Sequence, residues 1–146
     1  MDAHEAINDI LVNLFHEIWE LEEKAIITAE FKDISNNDMH IIEAIGLGDG
    51  NNMSTIARKL NITVGSLTTS MNSLVNKKYA VRERSEEDRR VVYIKLTPKG
   101  EHAFRHHQKF HEEMTAAVVG ELPENEREIL IQALNRLDRF FRQYEH

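Results

Sequence analysis

The sequence predicts a mainly α-helical protein with one small β-hairpin, and three features point that way. Apolar residues recur at alternating steps of three and four along both ends of the chain, the spacing of one helical face. Two short β-prone runs, Tyr79 to Arg84 and Val91 to Leu96, flank the polar segment Ser85-Glu86-Glu87-Asp88-Arg89-Arg90, which makes them a hairpin with a charged tip. Turn formers separate the periodic segments: Gly46, Gly48 and Gly50 with Asp49 and Asn51, then Asn61 to Thr63, then Thr97-Pro98.

Ile7, Leu11, Leu14, Ile18, Leu21 and Ala25 give a long amphipathic helix from about His4 to Glu30. Phe31 to Ser35 breaks it. Ser35 with Asp38 resembles a capping box for a second helix through about Leu47, apolar at Ile41, Ile42, Ala44 and Ile45. Asn52 or Ser54 caps a third helix of about two turns, striped by Ile56, Ala57 and Leu60. Thr63 caps a fourth from Val64 to about Lys77, whose apolar face is Val64, Leu67, Met71, Leu74 and Val75.

In the hairpin, Val92, Ile94 and Leu96 alternate with Val91, Tyr93 and Lys95, so one face is buried and one faces out. Thr97-Pro98 opens a fifth helix, since Pro at the first helical position costs no hydrogen bond; it runs to about Val119 and Gly120 ends it. The last helix extends from about Pro123 to Tyr144. Leu130, Leu134, Leu137, Phe141 and Tyr144 stripe it, and Leu122, Ile129, Ile131 and Phe140 widen the apolar face. The simplest burial for both terminal stripes is a helical dimerisation region built from the chain ends of two protomers; the alternative is a monomer that buries both internally.

The 146 residues, 41% hydrophobic and 29% charged, suit a single domain. Residues 1–34 and 101–146 form its helical dimerisation region, and residues 35–100 the lobe between. With no Cys, the chain has no disulfide framework, thiolate metal site or cysteine nucleophile. No basic region precedes an apolar run at the amino terminus and no apolar stretch is long enough to span a bilayer, so a cytoplasmic protein without a membrane role is expected. The net charge of −7 hides a division: residues 53–100 hold ten Lys or Arg against four acids, a net +6, and the remainder carries −13. Over a Debye length of roughly 8 Å the distant acids do not cancel that basic segment.

The outer face of the fourth helix carries Ser66, Thr68, Thr69, Ser70, Asn72 and Ser73, short, polar and uncharged. Such residues are mediocre helix formers, whereas solvated helices favour Lys, Glu and Arg. Hydroxyls and amides of this size can reach base edges in a major groove. Helix, turn, helix and hairpin in that order make a winged helix-turn-helix. Ser66, Thr68, Thr69 and Asn72 are its candidate base contacts, and Arg84, Arg89 and Arg90 sit where a wing reaches phosphates or a minor groove. A merely polar helix surface and an exposed charged turn are the bland alternatives. An enzyme is not expected: there is no Gly-rich phosphate loop after a strand, no Cys and no Ser at a strand-to-helix elbow.

Ala57, Leu60, the helix Val64 to Lys77, Asp88-Arg89-Arg90 and Leu96-Thr97-Pro98-Lys99-Gly100 resemble the MarR family of winged-helix repressors over nearly the whole chain. Within it, Phe31-Lys32-Asp33-Ile34-Ser35, Met39-His40, Gly65, Leu67-Thr68-Thr69-Ser70, Arg84-Ser85-Glu86 and Phe110-His111 are similar to FabT-type repressors of fatty-acid-synthesis genes. Lys78 stands where the family often has Gly, which puts a non-Gly residue in a left-handed turn. The resemblance implies a homodimer on palindromic double-stranded DNA, Arg90 in the minor groove with Asp88 holding it, and no required cofactor. It also implies a long-chain acyl group on acyl carrier protein as co-repressor. Phe15, Trp19, Phe31, Ile34, Met39, Ile42 and Phe104 are candidates for an acyl pocket, each with simple core as its plainer role, and Lys32, Arg105 or Lys109 for docking the acidic carrier.

Four of the eight histidines, His102, His106, His107 and His111, fall on the fifth helix. The pairs 102/106 and 107/111 are each one helical turn apart, a competent two-ligand arrangement for a metal. His40, His107 and His111 match the zinc-sensing members of the same family residue by residue, so a zinc-responsive regulator of metal-uptake genes is the alternative. Met39 and His106 stand where those sensors have acidic ligands.

Overall fold

The structure is a computed structural model that describes residues 2–26 and 30–144. Its elements are α1 (Ala3–Ile26), α2 (Asn36–Ile45), β1 (Asn51–Asn52), α3 (Met53–Leu60), α4 (Val64–Asn76), β2 (Ala80–Arg84), β3 (Val92–Leu96), α5 (Pro98–Glu121) and α6 (Glu124–Tyr144). The expected fold class is observed: six helices and a small antiparallel wing. The last turn expected of α1 falls partly on residues 27–29, which lie outside the described residues, and Glu30 is not helical.

Local chemistry sets the boundaries. The Ser35 hydroxyl accepts from the Asp38 amide at 3.1 Å while the Asp38 carboxylate accepts from the Ser35 amide at 3.1 Å, so α2 begins with a complete capping box. Asn52 caps α3 through the Thr55 amide and Thr63 caps α4 through the Ser66 amide. Asn61 adopts φ 55 where α3 ends, and Lys78 adopts φ 73 between α4 and β2, the left-handed turn expected there. Gly120 does not end α5, which continues to Glu121. Just past that end, the Arg127 Nε–H is shared between the carbonyls of Val119 and Leu122 at 3.0 and 2.9 Å.

The sheet holds one strand more than the hairpin. β1, two residues long, pairs antiparallel with β3, so the strand order is β1-β3-β2 and β3 is central. Two residues show no period, which is why the sequence gives no sign of this strand. Gly50, at φ +78, permits the approach: a Cβ there would sit 1.9 Å from the Ile94 carbonyl oxygen.

The chain divides into two compact units, residues 1–110 and 111–146, with the boundary inside α5. In the first, Phe31, Ile34, Met39, Ile41, Ile42, Ile45, Ile56, Leu67, Met71, Leu74, Tyr79, Ile94 and Ala103 form one closed core. It fixes α4 by its inner face and leaves the opposite face outward. In the second, α6 buries none of its residues, and Ile129, Ile131, Leu134 and Phe141 are exposed. On α1, Ile7, Leu14 and Leu21 are exposed as well. These residues are left exposed within one chain. Among the described residues no helix is long and apolar enough to cross a membrane.

Candidate nucleic-acid interface

The face of α4 opposite Leu67, Met71 and Leu74 presents Ser66, Thr68, Thr69 and Asn72, all exposed. Thr69 points most directly away from the core, with Asn72 one turn further along. Three of these side chains are already oriented. The Ser66 hydroxyl oxygen receives the Thr63 hydroxyl at 3.0 Å, which leaves its own proton to be donated outward. The Thr68 hydroxyl donates to the Val64 carbonyl at 2.8 Å, so its oxygen remains an acceptor beside an outward methyl. Asn72 Oδ1 receives a guanidinium N–H of Arg82, which lies on β2.

The tip of the wing holds cations of its own. Asp88 engages Arg90 three ways: it accepts from Nε at 3.0 Å, from Nη2 at 3.1 Å and from the Arg90 amide at 3.1 Å. This fork holds the Asp88 carboxyl below the usual carboxylate range and extends an Arg90 side chain that is 90% exposed. Arg84, at the end of β2, donates to the Arg89 carbonyl at 2.7 Å, which ties the rising strand to the tip, and Arg89 itself is exposed. Around the tip, Ser85 donates its amide to the Val91 carbonyl at 2.9 Å and Val91 donates to the Asp88 carbonyl at 2.9 Å, so the tip is a closed turn.

Behind the recognition helix lies a polar cluster that the sequence did not reveal. The Tyr79 hydroxyl donates to Asp33 Oδ1 at 2.6 Å, Lys77 Nζ donates to the Asp33 carbonyl at 2.5 Å, and Lys99 Nζ lies 3.7 Å from Asp33 Oδ2 and 4.2 Å from the Tyr79 ring centroid. Lys77 also approaches Asp38 at 3.6 Å. The end of α4, the residue before β2, the start of α5 and the segment before α2 thus meet at one residue, Asp33. The Tyr79 hydroxyl is the main reason the Asp33 carboxyl stays below its ordinary value; burial opposes it, and Lys99 and Lys77 add to the lowering.

The acyl-pocket candidates separate. Phe31, Ile34, Met39 and Ile42 fill the core with Phe104 packed against it, whereas Phe15 and Trp19 stand on the exposed side of α1. Lys32, Arg105 and Lys109 are exposed.

The histidines have protein partners. His107, 2% exposed, bonds through Nε2 to Glu22 Oε1 at 2.8 Å, and His40 Nε2 lies 3.7 Å from the same oxygen. Glu43 lies 3.6 Å from His107 Nδ1 and 3.7 Å from His40 Nδ1. His106 Nε2 bonds to the Ala25 carbonyl at 2.8 Å, and His102 lies 3.2 Å from Glu30. His111 follows His107 four residues further along α5. Glu22 is the residue that sequence reasoning missed. Its signal was an acid in line with Ile18 and Ile26, four residues away on either side, on the face of α1 that enters the core at Ile26. Imidazole nitrogens with a carboxylate oxygen are a donor set that suits zinc.

Comparison with known proteins agrees with this geometry. The MarR family model matches residues 32–91. Streptococcus pneumoniae FabT, solved in complex with DNA, is 36% identical, with 96% of this chain and 98% of that chain covered at a TM-score of 0.89. The Staphylococcus aureus MepR–DNA complex is 25% identical over 85% of this chain and 93% of that one, with a TM-score of 0.66. The Bacillus subtilis HTH-type transcriptional regulator PchR is 28% identical over 121 residues, 76% of this chain and 71% of that protein. These relatives are regulators rather than enzymes. The chain belongs to the MarR family of winged helix-turn-helix transcriptional regulators.

Proposed function

We propose that the protein is a homodimeric repressor that grips a palindromic operator and controls fatty-acid biosynthesis genes, with long-chain acyl carrier protein as co-repressor. One observation carries the DNA-binding part: the lobe combines an uncharged polar face on α4, turned away from the core, with a wing-tip Arg90 held outward by Asp88. Ser66, Thr68, Thr69 and Asn72 enter the major groove, and Arg90 meets the concentrated negative potential of a narrow minor groove. The exposed stripes of α1 and α6 supply the surface on which a second copy closes. The likeness to FabT along almost the full length of both chains supports the fatty-acid assignment.

A second reading is a zinc-responsive regulator, favoured by the buried Glu22 beside His107 and His40, with His111 on the same helix as His107. Fluorescence anisotropy on a lipid-synthesis promoter at fixed salt separates the two. Acylated carrier protein, zinc, and zinc with chelator are added in parallel. Tightening by the acylated carrier with no effect of zinc is the expected result. A response to zinc alone that His107→Ala abolishes would replace the acyl reading with the metal one. Absence of salt-sensitive DNA binding under every condition would overturn both.

A further inference from the structure

The geometry points to Gly65 as the place where α4 comes closest to the operator: its missing side chain leaves a notch in the reading face, into which a base edge of the major groove fits against the helix backbone. This rests on the operator-binding reading above. Gly65, Thr69, Asn72 and Asn76 recur at steps of four, three and four along α4, so they form one ridge, and all four are exposed. That ridge lies opposite Leu67, Met71 and Leu74, which are buried in the core. Its later positions carry side chains outward. At Gly65, its first position, there is only backbone.

Neither backbone nor packing asks for glycine there. Gly65 does not hold the left-handed conformation found at Gly50. Apart from its chain neighbours and the helix's own backbone, a Cβ built on Gly65 would meet only Thr63 Oγ1 among the described residues, at an ordinary 3.9 Å. A Cβ on Gly100, by contrast, would sit 2.0 Å from the Tyr79 carbonyl oxygen. Glycine is a poor helix former, and alanine would fit the same backbone while narrowing the unfolded ensemble. The chain thus forgoes stability at an exposed position and gains neither a turn nor a packing contact for it. The remaining use of a bare backbone is close approach by another molecule. The winged helix-turn-helix names that molecule, because a recognition helix lies in the major groove with its N-terminal residues at the base edges. Gly65 is the second residue of α4, and Thr69 and Asn72 continue its ridge over the next two turns. A methyl group needs roughly 3.5–4 Å to its neighbours, so a side chain at this position would lift this end of α4 from the groove and draw Thr69 and Asn72 off their bases.

Full-length wild type, Gly65→Ala and Gly65→Leu test this by fluorescence anisotropy at fixed salt. A duplex enriched by wild type from a randomised palindromic library serves as operator, and a scrambled duplex of the same length and composition as the non-specific probe. Gly65→Ala is expected to raise Tm by about 1–4 °C and to keep the wild-type oligomer in sedimentation, yet to weaken operator binding by about tenfold or more. Gly65→Leu is expected to weaken it further. Binding to the scrambled duplex, which depends on phosphates rather than bases, should change by about twofold or less. Operator affinity within about twofold of wild type in Gly65→Ala would overturn the inference. An equal loss on both duplexes would overturn it too, since the notch would then meet the DNA backbone rather than a base edge. So would a lower Tm or an altered oligomer in Gly65→Ala, either of which gives the glycine a reason inside the protein. If wild type enriches no duplex, the operator-binding reading falls and this inference with it, an outcome distinct from a variant that binds as wild type does.

Discussion

At the residue scale, the wing fork concentrates the DNA-binding reading on one side chain. Arg90→Ala should weaken operator binding by about tenfold or more and lower the steepness of its salt dependence, while sedimentation shows the same oligomer as wild type. A second prediction comes from Asp33, whose carboxyl is held below its ordinary value of 3.8. A depressed folded value means that the ionised carboxylate contributes stability above pH 3.8 and loses it as pH falls through the folded value. The advantage of wild type over Asp33→Asn in urea unfolding should therefore exist at pH 7 and fade towards pH 3. It should be small, about a few tenths of a kcal/mol, because the Asp33 side chain is 45% exposed and solvent screens its partners. An advantage that persists unchanged at pH 3 would assign it to something other than charge. These single residues show where sequence reasoning reaches. Asp88 and Arg90 are two positions apart, so their pairing follows from local geometry. Asp33 and Tyr79 meet only because the chain folds back, and nothing in their surroundings announces it.

Elements were legible where their determinants are local. The capping box of α2 needs only Ser35 and Asp38, and the periods of α1, α4 and α6 are long enough to count. β1 was hidden because its two residues acquire a strand's geometry from β3. Lys78 offers a test at this scale, because it holds φ 73, a conformation that costs an L-residue about 1–2 kcal/mol. Lys78→Gly should relieve part of that cost, offset by the freer unfolded chain, for a net gain of about 0.5–1 kcal/mol and a rise of about 2–4 °C in Tm. A lower Tm would mean that the Lys78 side chain itself contributes more than its backbone strain removes. The Asn72–Arg82 contact shows the opposite limit. The sequence offered Asn72 as a base reader and left Arg82 aside, since the link between them depends on strand register rather than spacing.

At the scale of the whole molecule, a basic lobe sits in an acidic chain, and apolar stripes at both chain ends stay exposed within one protomer. The division of charge and the unfilled stripes were both countable in the sequence, whereas the separate fates of the acyl-pocket candidates were not. Burial of Phe31 and exposure of Phe15 depend on which side of a helix the core occupies, and apolar identity alone leaves that open. Dimerisation has a direct check: Leu134→Asp places a charge on the exposed stripe of α6. It should shift the protein to monomer in analytical ultracentrifugation and weaken operator binding by about 100-fold or more, since one half-site then binds without the other. A dimer of unchanged stability would move the interface elsewhere.

The recognition helix is rich in serine, threonine and asparagine, residues that barely sustain a helix by themselves, and it is held in shape by Leu67, Met71 and Leu74, each with 0% exposure. Excised, it has nothing to lean on. A synthetic peptide spanning residues 63–77 should give the circular dichroism of a coil in water and fail to compete for operator even in large excess; a helical, competing peptide would contradict this. Inhibitors that mimic this segment must therefore bring their own scaffold. By the same logic, loss of core packing far from the groove would silence the protein without altering any atom that meets DNA.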